Sequence, residues 1–423
     1  MQPCYTAGVV GAGAGGKLSL AALAVSGLFE PVAVADIRDD IRQEIETRYP
    51  GIRTFASHRE MFAHSPVDVV CVSTYPPSHR EVALDALQLP LKGILVEKPL
   101  GDTYSAGQDI LARVRDRRLP IAVPHGLLVA RHAQEILERV RNGEIGQLCL
   151  VEIQCDKWDI LNAGIHWLNF FVTLAGSEPM ELVMAQCDTT SRTYRDGLQV
   201  ETLAVTYAQT RSGVRVVMQT GDYVKISREG KNTLFRLVGT AGMIEFWGWE
   251  SAYHLLNARY PAGRLVEVEP DSRSGHQCHL EALAAQMDNG TPDYTIAESS
   301  LMALALCEAA YLSSRHRCAV ALPLEQWIPP PPNDWDPGKP YDGRGGGRDG
   351  RKLRSLLWPS RLTQQCLPRW CACISLAPPP HPASARSAPA STTHPTGSTA
   401  IRGASCYAWR RPTTPACSPT NGR

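Results

Sequence analysis

Short apolar runs alternate with stretches of helical spacing through the first part of the chain. Ala7-Gly8-Val9-Val10 and the runs at 32–35, 67–72, 94–96 and 120–123 are almost continuous in Val, Ile, Leu and Ala. A strand buried on both faces has this pattern, because neither side meets water. Between the first two runs, Leu18, Ala21, Ala22 and Val25 share one helical face, and further helices are expected at about 80–87 and 105–117. Strands alternating with helices predict a doubly wound parallel sheet over residues 1–125, an α/β domain.

The period changes after 126. Arg131–Arg141 turns Ile136, Leu137 and Val140 to one side and stops at Asn142-Gly143, a glycine C-cap. Strands then dominate, at about 148–153, 182–186, 201–207, 214–220, 233–238 and 243–247. Several alternate polar with apolar, as in Arg215-Val216-Val217-Met218, and turns such as Arg211-Ser212-Gly213 join some of them. A large, mostly antiparallel sheet with one covered face is expected, in an α+β domain over 126–328. Helices at about 278–288 and 297–313 are expected to close it. Residues 329–423 open as a Pro/Gly-rich arm and become Pro, Ala, Ser, Thr and Arg without apolar period. Such a segment buries too little surface to offset its ordering entropy, so a disordered tail is expected, closer to unselected sequence than to a domain. Cys371, Cys373 and Trp409 lie there with no further ligands around them to make a metal or stacking site.

Candidate chemistry begins where the first strand feeds Gly11-Ala12-Gly13-Ala14-Gly15-Gly16, spaced G-x-G-x-x-G. Gly11 turns the chain, Gly13 lets backbone approach a pyrophosphate, and Gly16 lets helix pack on strand. The helix behind them offers free N–H groups and a positive dipole end. Asp36 ends the second strand where the ribose-binding acid of such a unit belongs. A carboxylate there accepts a 2′-hydroxyl and repels a 2′-phosphate, so NAD is expected. Arg38 could offset the repulsion, which leaves NADP possible. The run Ile94-Leu95-Val96 ends abruptly in Glu97-Lys98-Pro99. A lysine desolvated at that strand end titrates low enough to move protons near neutral pH, whereas a solvated one is only a charge before a turn.

Taken in order, Gly11-x-Gly13-x-x-Gly16, Asp36, Ser73-Thr74-x-Pro76-x-x-His79 and Glu97-Lys98-Pro99 resemble the glucose–fructose oxidoreductase / inositol dehydrogenase / MocA (Gfo/Idh/MocA) family, over about residues 5 to 325. The resemblance implies a dinucleotide held by Gly11, Gly13, Ala14, Gly16, Asp36, Arg38, Ser73, Thr74, Pro76, His79, Glu97 and Lys98. It places Lys98 at the nicotinamide as a catalytic residue, often before a cis peptide bond to Pro99. Asn162-Ala163-Gly164-Ile165-His166-Trp167-Leu168-Asn169 is similar to the family motif Asp-x-Gly-x-His-x-x-Asp. His166 matches the catalytic histidine, while Asn162 and Asn169 stand where the family usually has aspartates. Asparagine bonds an imidazole but supplies no charge to raise its pKa. So His166 works as a neutral ring, or Lys98 carries the proton alone, or Asp156 or Asp159 substitutes, or dehydrogenase chemistry has been lost. Trp158 either stacks on a sugar face or closes a sheet edge. Lys98, Trp158, Asp159, Asn162 and His166 form the expected substrate-binding set.

Charge and composition narrow the class. The 423 residues carry a formal net charge of +1, which gives no field for nucleic acid or an anionic membrane. The nearest approach to a membrane span, 18–35, is broken by Glu30 and Pro31. The 13 cysteines form no C-x-x-C pair, and Cys71 and Cys307 sit in apolar runs as small core residues, so no metal site and a cytoplasmic protein are expected. The leading expectation is an NAD-dependent oxidoreductase acting on a secondary alcohol of a sugar, polyol or related carbohydrate. A glycosidase using tightly bound NAD and a non-catalytic NAD-binding protein are the alternatives. The open sheet face suits a homo-oligomer, a dimer or tetramer.

Overall fold

The computed structural model describes residues 5–188, 190 and 193–329. The expected arm and tail, with Cys371, Cys373 and Trp409, lie outside the described residues beyond 329.

Six strands make the first sheet: β1 (Tyr5–Val10), β2 (Phe29–Ala35), β3 (Arg53–Phe55), β4 (Val69–Val72), β5 (Gly93–Val96) and β6 (Ile121–Ala122). Their order is β3-β2-β1-β4-β5-β6, all pairs parallel, as the alternation requires. Every residue of β4 and β5 is buried, which is why neither shows a polar face. The crossovers are α1 (Ala14–Ser26), α2 (Asp39–Arg48) with α3 (His58–His64), α4 (Pro76–Ala86) and α5 (Tyr104–Asp116). The order reverses between β1 and β4, so the carboxyl ends of β1, β4 and β5 splay into a crevice. The short α6 (Gly126–Val129) and then α7 (Arg131–Arg141) lead out of this sheet.

The second sheet has nine strands. β7 (Leu148–Asp156) is followed by one π-helical turn, Ile160–Gly164, that runs straight into α8 (Ile165–Leu174). Then come β8 (Met180–Cys187), a small hairpin β9 (Thr193–Arg195) and β10 (Leu198–Val200), β11 (Leu203–Thr210), β12 (Arg215–Gly221), β13 (Thr233–Gly239), β14 (Gly242–Phe246), β15 (Ala252–Asn257) and β16 (Tyr260–Glu267). The chain ends its described part with α9 (Gly275–Asn289), α10 (Thr295–His316) and β17 (Val320–Ala321). The order is β16-β15-β14-β13-β7-β12-β11-β8-β17, with β9–β10 apart. All neighbours are antiparallel except β7 and β12, which run parallel, so the sheet is mixed at its centre. β11 and β12 alternate buried with open positions; on the buried face α10 lies against β8 and α8, and α8 turns Phe170 onto Phe235 of β13 and Phe246 of β14. Phe170, Phe171, Phe235 and Phe246 are fully buried there, each worth roughly 1.5–3 kcal/mol of transfer free energy.

Two expectations change. The helix read at 278–288 does not close the second sheet. As α9 it packs on α1, β5 and β6, with Leu280, Leu283 and Ala284 in the same core as Val9, Leu20 and Val69. Gly93 permits this, since a Cβ there would stand 2.7 Å from Met287 Sδ. The second change is that α10 is long and apolar enough to cross a membrane by length and composition, although none of the apolar stretches read in the sequence was. In this fold 56% of that stretch is buried, and α10 is the core helix against α8 and β8. Its small residues, such as Ala303, Cys307 and Ala310, let it pack closely.

Candidate active site

The glycine loop is shaped by two close approaches. Gly11 has φ +84°, and a Cβ on it would lie 2.7 Å from the Ser73 carbonyl oxygen. A Cβ on Gly16 would lie 1.9 Å from the Gly11 carbonyl oxygen. These glycines let β1, α1 and the end of β4 close on one another. Gly13 differs: within 4 Å of its missing Cβ stands only the Arg38 guanidinium, at 3.9 Å. The loop therefore leaves an open cradle before α1, which begins at Ala14 without an acidic residue or side-chain cap in its first turn. Unpaired N–H groups facing such a space suit a phosphate, so the cradle fits a dinucleotide. Asp36 is buried at the end of β2. Its carboxylate accepts the Ala12 N–H at 2.8 Å and the Arg38 N–H at 2.9 Å, and it pairs with the Arg38 side chain at 3.4 Å.

Across the crevice, β4 ends in Ser73 and Thr74, and α4 starts at the buried Pro76. Ser73 Oγ lies 3.4 Å from Ser19 Oγ on α1. His79 is fully buried behind this edge, its ring nitrogens 2.9 Å from the Pro99 carbonyl oxygen and 2.8 Å from that of Thr74. It braces the Thr74 turn against the Lys98–Pro99 peptide, which is cis. Glu97 is buried with its carboxyl 3.2 Å from where a Gly15 Cβ would be, so it sits beneath the first turn of α1. Its Oε1 is 2.6 Å from His276 Nε2 and its Oε2 accepts the Lys98 N–H. Burial raises the Glu97 pKa, but the His276 hydrogen bond and the His276, Lys98 and His79 charges outweigh it and hold the carboxyl below its ordinary range.

Lys98 reaches from the first sheet to the second half of the chain. Its Nζ donates to the Asn162 carbonyl oxygen at 2.8 Å. Burial lowers its pKa below the ordinary lysine value, and the nearby Glu97, Asp196 and Asp159 carboxylates only partly offset this. The π-turn that presents Asn162 is built on Asp159, which is 1% exposed. Asp159 accepts the Leu161 and Asn162 N–H groups at 3.0 and 2.8 Å, and the Asn162 side-chain amide at 2.9 and 3.1 Å. Arg195 Nη1 completes its partners at 2.8 Å. One turn later, the partly exposed His166 ring lies 5.1 Å from the His125 ring and 6.1 Å from that of Trp249. Burial, then the charges of Lys98 and His125, push its pKa well below that of a free histidine, so the ring is neutral.

Several expectations are decided here. Neither upstream aspartate orients His166: Asp159 is committed to the π-turn and Arg195, and Asp156 pairs with Lys157 and Lys225. Asn162 turns its side chain to Asp159, and His166 Nδ1 is buried without a partner among the described residues. Asn169 is buried against Ser299. Trp158 is 41% exposed and carries the Arg195 guanidinium 4.6 Å over its ring, which takes one face. His125, Arg195, Asp196, Trp249 and His276 were not singled out in the sequence. Each comes to the crevice from a distant element, and no local spacing marks them. Away from the crevice His58, Glu81 and Asp85 converge, but Arg59 already pairs with both carboxylates and supplies the cation.

Known proteins match this arrangement. The family model described as "Oxidoreductase family, NAD-binding Rossmann fold", Gfo/Idh/MocA, matches residues 5–125. The first domain is similar to that family over almost its whole length. Among curated proteins, the rhizopine catabolism protein MocA of Rhizobium meliloti is 26% identical over 201 residues, 44% of this chain. That match spans 62% of MocA's own length. Solved structures extend the likeness through the second sheet. Levoglucosan dehydrogenase in complex with NADH and levoglucosan superposes with TM-score 0.65 at 17% identity, covering 76% of this chain and 100% of that one. The WlbA dehydrogenase of Bordetella pertussis, in complex with NADH and UDP-GlcNAcA, gives 0.63 at 19% identity, covering 77% and 99%. At such identities the likeness is one of fold. The first domain here is thus an NAD-binding Rossmann unit joined to a mixed sheet of the kind those structures share.

Proposed function

We propose that this protein is an NAD-dependent oxidoreductase acting on a secondary alcohol of a sugar, polyol or related carbohydrate, with Lys98 as the proton acceptor. The observation that carries the reading is the buried Lys98 amine, depressed in pKa at the carboxyl end of β5 and tied to Asn162. The printed ligands of the two dehydrogenases of like fold, levoglucosan and UDP-GlcNAcA, support the substrate class.

The glycine cradle, Asp36 and Arg38 would hold the adenosine and diphosphate portion of NAD, while Ser73, Thr74, Glu97 and Lys98 line the approach to its other end. NAD supplies, when bound, the acceptor for a hydride. The rest is done by side chains. In its neutral form Lys98 takes the hydroxyl proton of the substrate, and the Asn162 carbonyl oxygen keeps its Nζ aimed across the crevice. His166, neutral and partly exposed, hydrogen-bonds the same hydroxyl rather than storing a charge. Two groups fixed on different elements, Lys98 at the end of β5 and His166 on α8, favour one orientation of the carbinol.

The test mixes the full chain and NAD with a panel of sugars, polyols and glycosides while following NADH absorbance and released aglycone together. NADH formed in proportion to substrate oxidised is the expected result. Aglycone release without net NADH would favour the NAD-retaining glycosidase, and no reaction with any compound would sink the dehydrogenase reading.

A further inference from the structure

A second cavity opens beside Trp249, whose ring also packs against His166. It measures about 230 Å³, and its wall includes Gly126, Trp249, Ser251, Arg131 and Asp271. Two of these residues tie it to the crevice. Trp249 packs against both His166 and Trp167, at 6.1 and 5.5 Å between ring centroids, and those two rings lie 6.0 Å from each other. Gly126 directly follows His125, and a Cβ on it would stand in ordinary contact with the Trp249 ring, at 3.5 Å, so the start of α6 and Trp249 meet at the cavity wall.

The lining has a definite chemistry. Trp249 is 51% exposed, an unusual state for a large ring packed against a neutral histidine, and it presents a flat apolar face to the space. The same wall carries a fork of charges. Asp271 holds Arg273 at 2.8 Å and lies 3.9 Å from Arg131, and Arg273 also pairs with Glu281 at 2.9 Å. The two guanidiniums are thus matched by two carboxylates. A free anion gains little from such a balanced edge, because it would have to displace Asp271. A neutral group with hydroxyls fits better, since it finds donors and acceptors side by side and needs no compensating charge. An apolar ring face and a mixed hydrogen-bonding group in one cavity are complementary to a pyranose, which has C–H faces and a hydroxyl rim.

We infer that this cavity is a second carbohydrate subsite: it binds a neutral glycosyl unit linked to the one whose carbinol lies at Lys98 and His166. The inference rests on the oxidoreductase reading for the first unit and extends it. The preferred substrate is a glycoside or disaccharide rather than a free monosaccharide. Trp249 is the stacking platform of the second unit.

Cys278 also lines the cavity as a free, partly buried thiol, so occupancy is readable without turnover. The NAD-loaded full chain is treated with iodoacetamide in the presence of glucose, myo-inositol, maltose, cellobiose or a p-nitrophenyl glycoside, and Cys278 alkylation is followed by peptide mass spectrometry. At least one two-unit ligand is expected to slow Cys278 alkylation several-fold, with the single-unit compounds protecting less. In turnover assays, Trp249→Ala and the cavity-filling Ser251→Trp are expected to lower the ratio of two-unit to one-unit kcat/KM by about tenfold, the scale of one lost stacking contact. Equal protection by one- and two-unit ligands, or by none, overturns the subsite, as does an unchanged ratio in both variants. Protection by a disaccharide with no NADH formed from any compound keeps the subsite and removes the oxidoreductase reading instead.

Discussion

Lys98 Nζ and the Asn162 carbonyl oxygen, 2.8 Å apart, form a bridge between the end of β5 and the π-turn before α8. The bridge fixes the amine without charging it, since a carbonyl accepts from a neutral amine as well as from a cation. Lys98→Met keeps the length of the side chain and removes the transferable proton. Turnover is expected to fall by about 10²–10⁴-fold. NAD affinity, measured by titration on the same variant, is expected to change much less, because Gly11 to Gly16 and Asp36 are proposed to hold the far end. His166→Ala should cost less than Lys98→Met, since nothing charges or orients that ring. Normal turnover in Lys98→Met would make the lysine a strand-end charge.

The pH profile follows from the same amine. Only its neutral form accepts a proton, so kcat/KM should rise with pH through the Lys98 pKa. Burial moves that acid limb below the ordinary lysine value of 10.5. The limb should vanish in Lys98→Met and survive in His166→Ala. A limb that instead disappears with His166 assigns it to the histidine.

Cofactor choice depends on Asp36. Its carboxylate is held by the Ala12 N–H and Arg38 at the end of β2, beside the glycine cradle proposed to take the dinucleotide. NAD(H) should bind more tightly than NADP(H), and Asp36→Ala should narrow the difference. Calorimetric titration of both cofactors decides the matter. Tighter NADP(H) binding by the unaltered protein would mean that Arg38, and not Asp36, sets the preference.

Asp159 should prove structural before it proves chemical. Asp159→Ala leaves two backbone N–H groups and the Asn162 amide unpaired inside the protein, at a cost of about 1–3 kcal/mol. A lower melting temperature is expected, with reduced turnover as the π-turn loosens its hold on Lys98. Asp159→Asn keeps an acceptor for the N–H groups and should lose less stability. Full turnover in Asp159→Ala would show that the bridge to Lys98 does not depend on this turn.

The features legible in the sequence were those with a local cause. The buried strands, the glycine loop, Asp36 and Lys98 at strand ends, and the cap at Gly143 follow from spacing and from where a parallel sheet places its carboxyl edge. β15 and β16 were missed. The outer strand, Tyr260–Glu267, carries Pro261 and Gly263 and is mostly exposed, so it has neither alternation nor apolar content to betray it. The β9–β10 hairpin is too short for a pattern. The surroundings of Lys98 and His166 were illegible for another reason. His276, Trp249 and Arg195 arrive over long sequence separations, and the destination of α9 depends on Gly93 and Met287 meeting, which no window of sequence contains.

The docking of α9 on the first sheet also sets an order for synthesis. A ribosome that has released β6 has made every strand of the nucleotide-binding sheet, but not the helix that covers its α1 flank. Leu280, Leu283 and Ala284 emerge only after the whole second sheet has been translated. Until then the nascent chain carries an uncovered apolar seam beside Leu20 and Leu23, a natural landing place for a chaperone. The two sheets are therefore interlocked by the chain path. A cut between them would yield an amino-terminal fragment that needs the 275–289 helix added back, as a separate peptide, before it behaves as a folded unit.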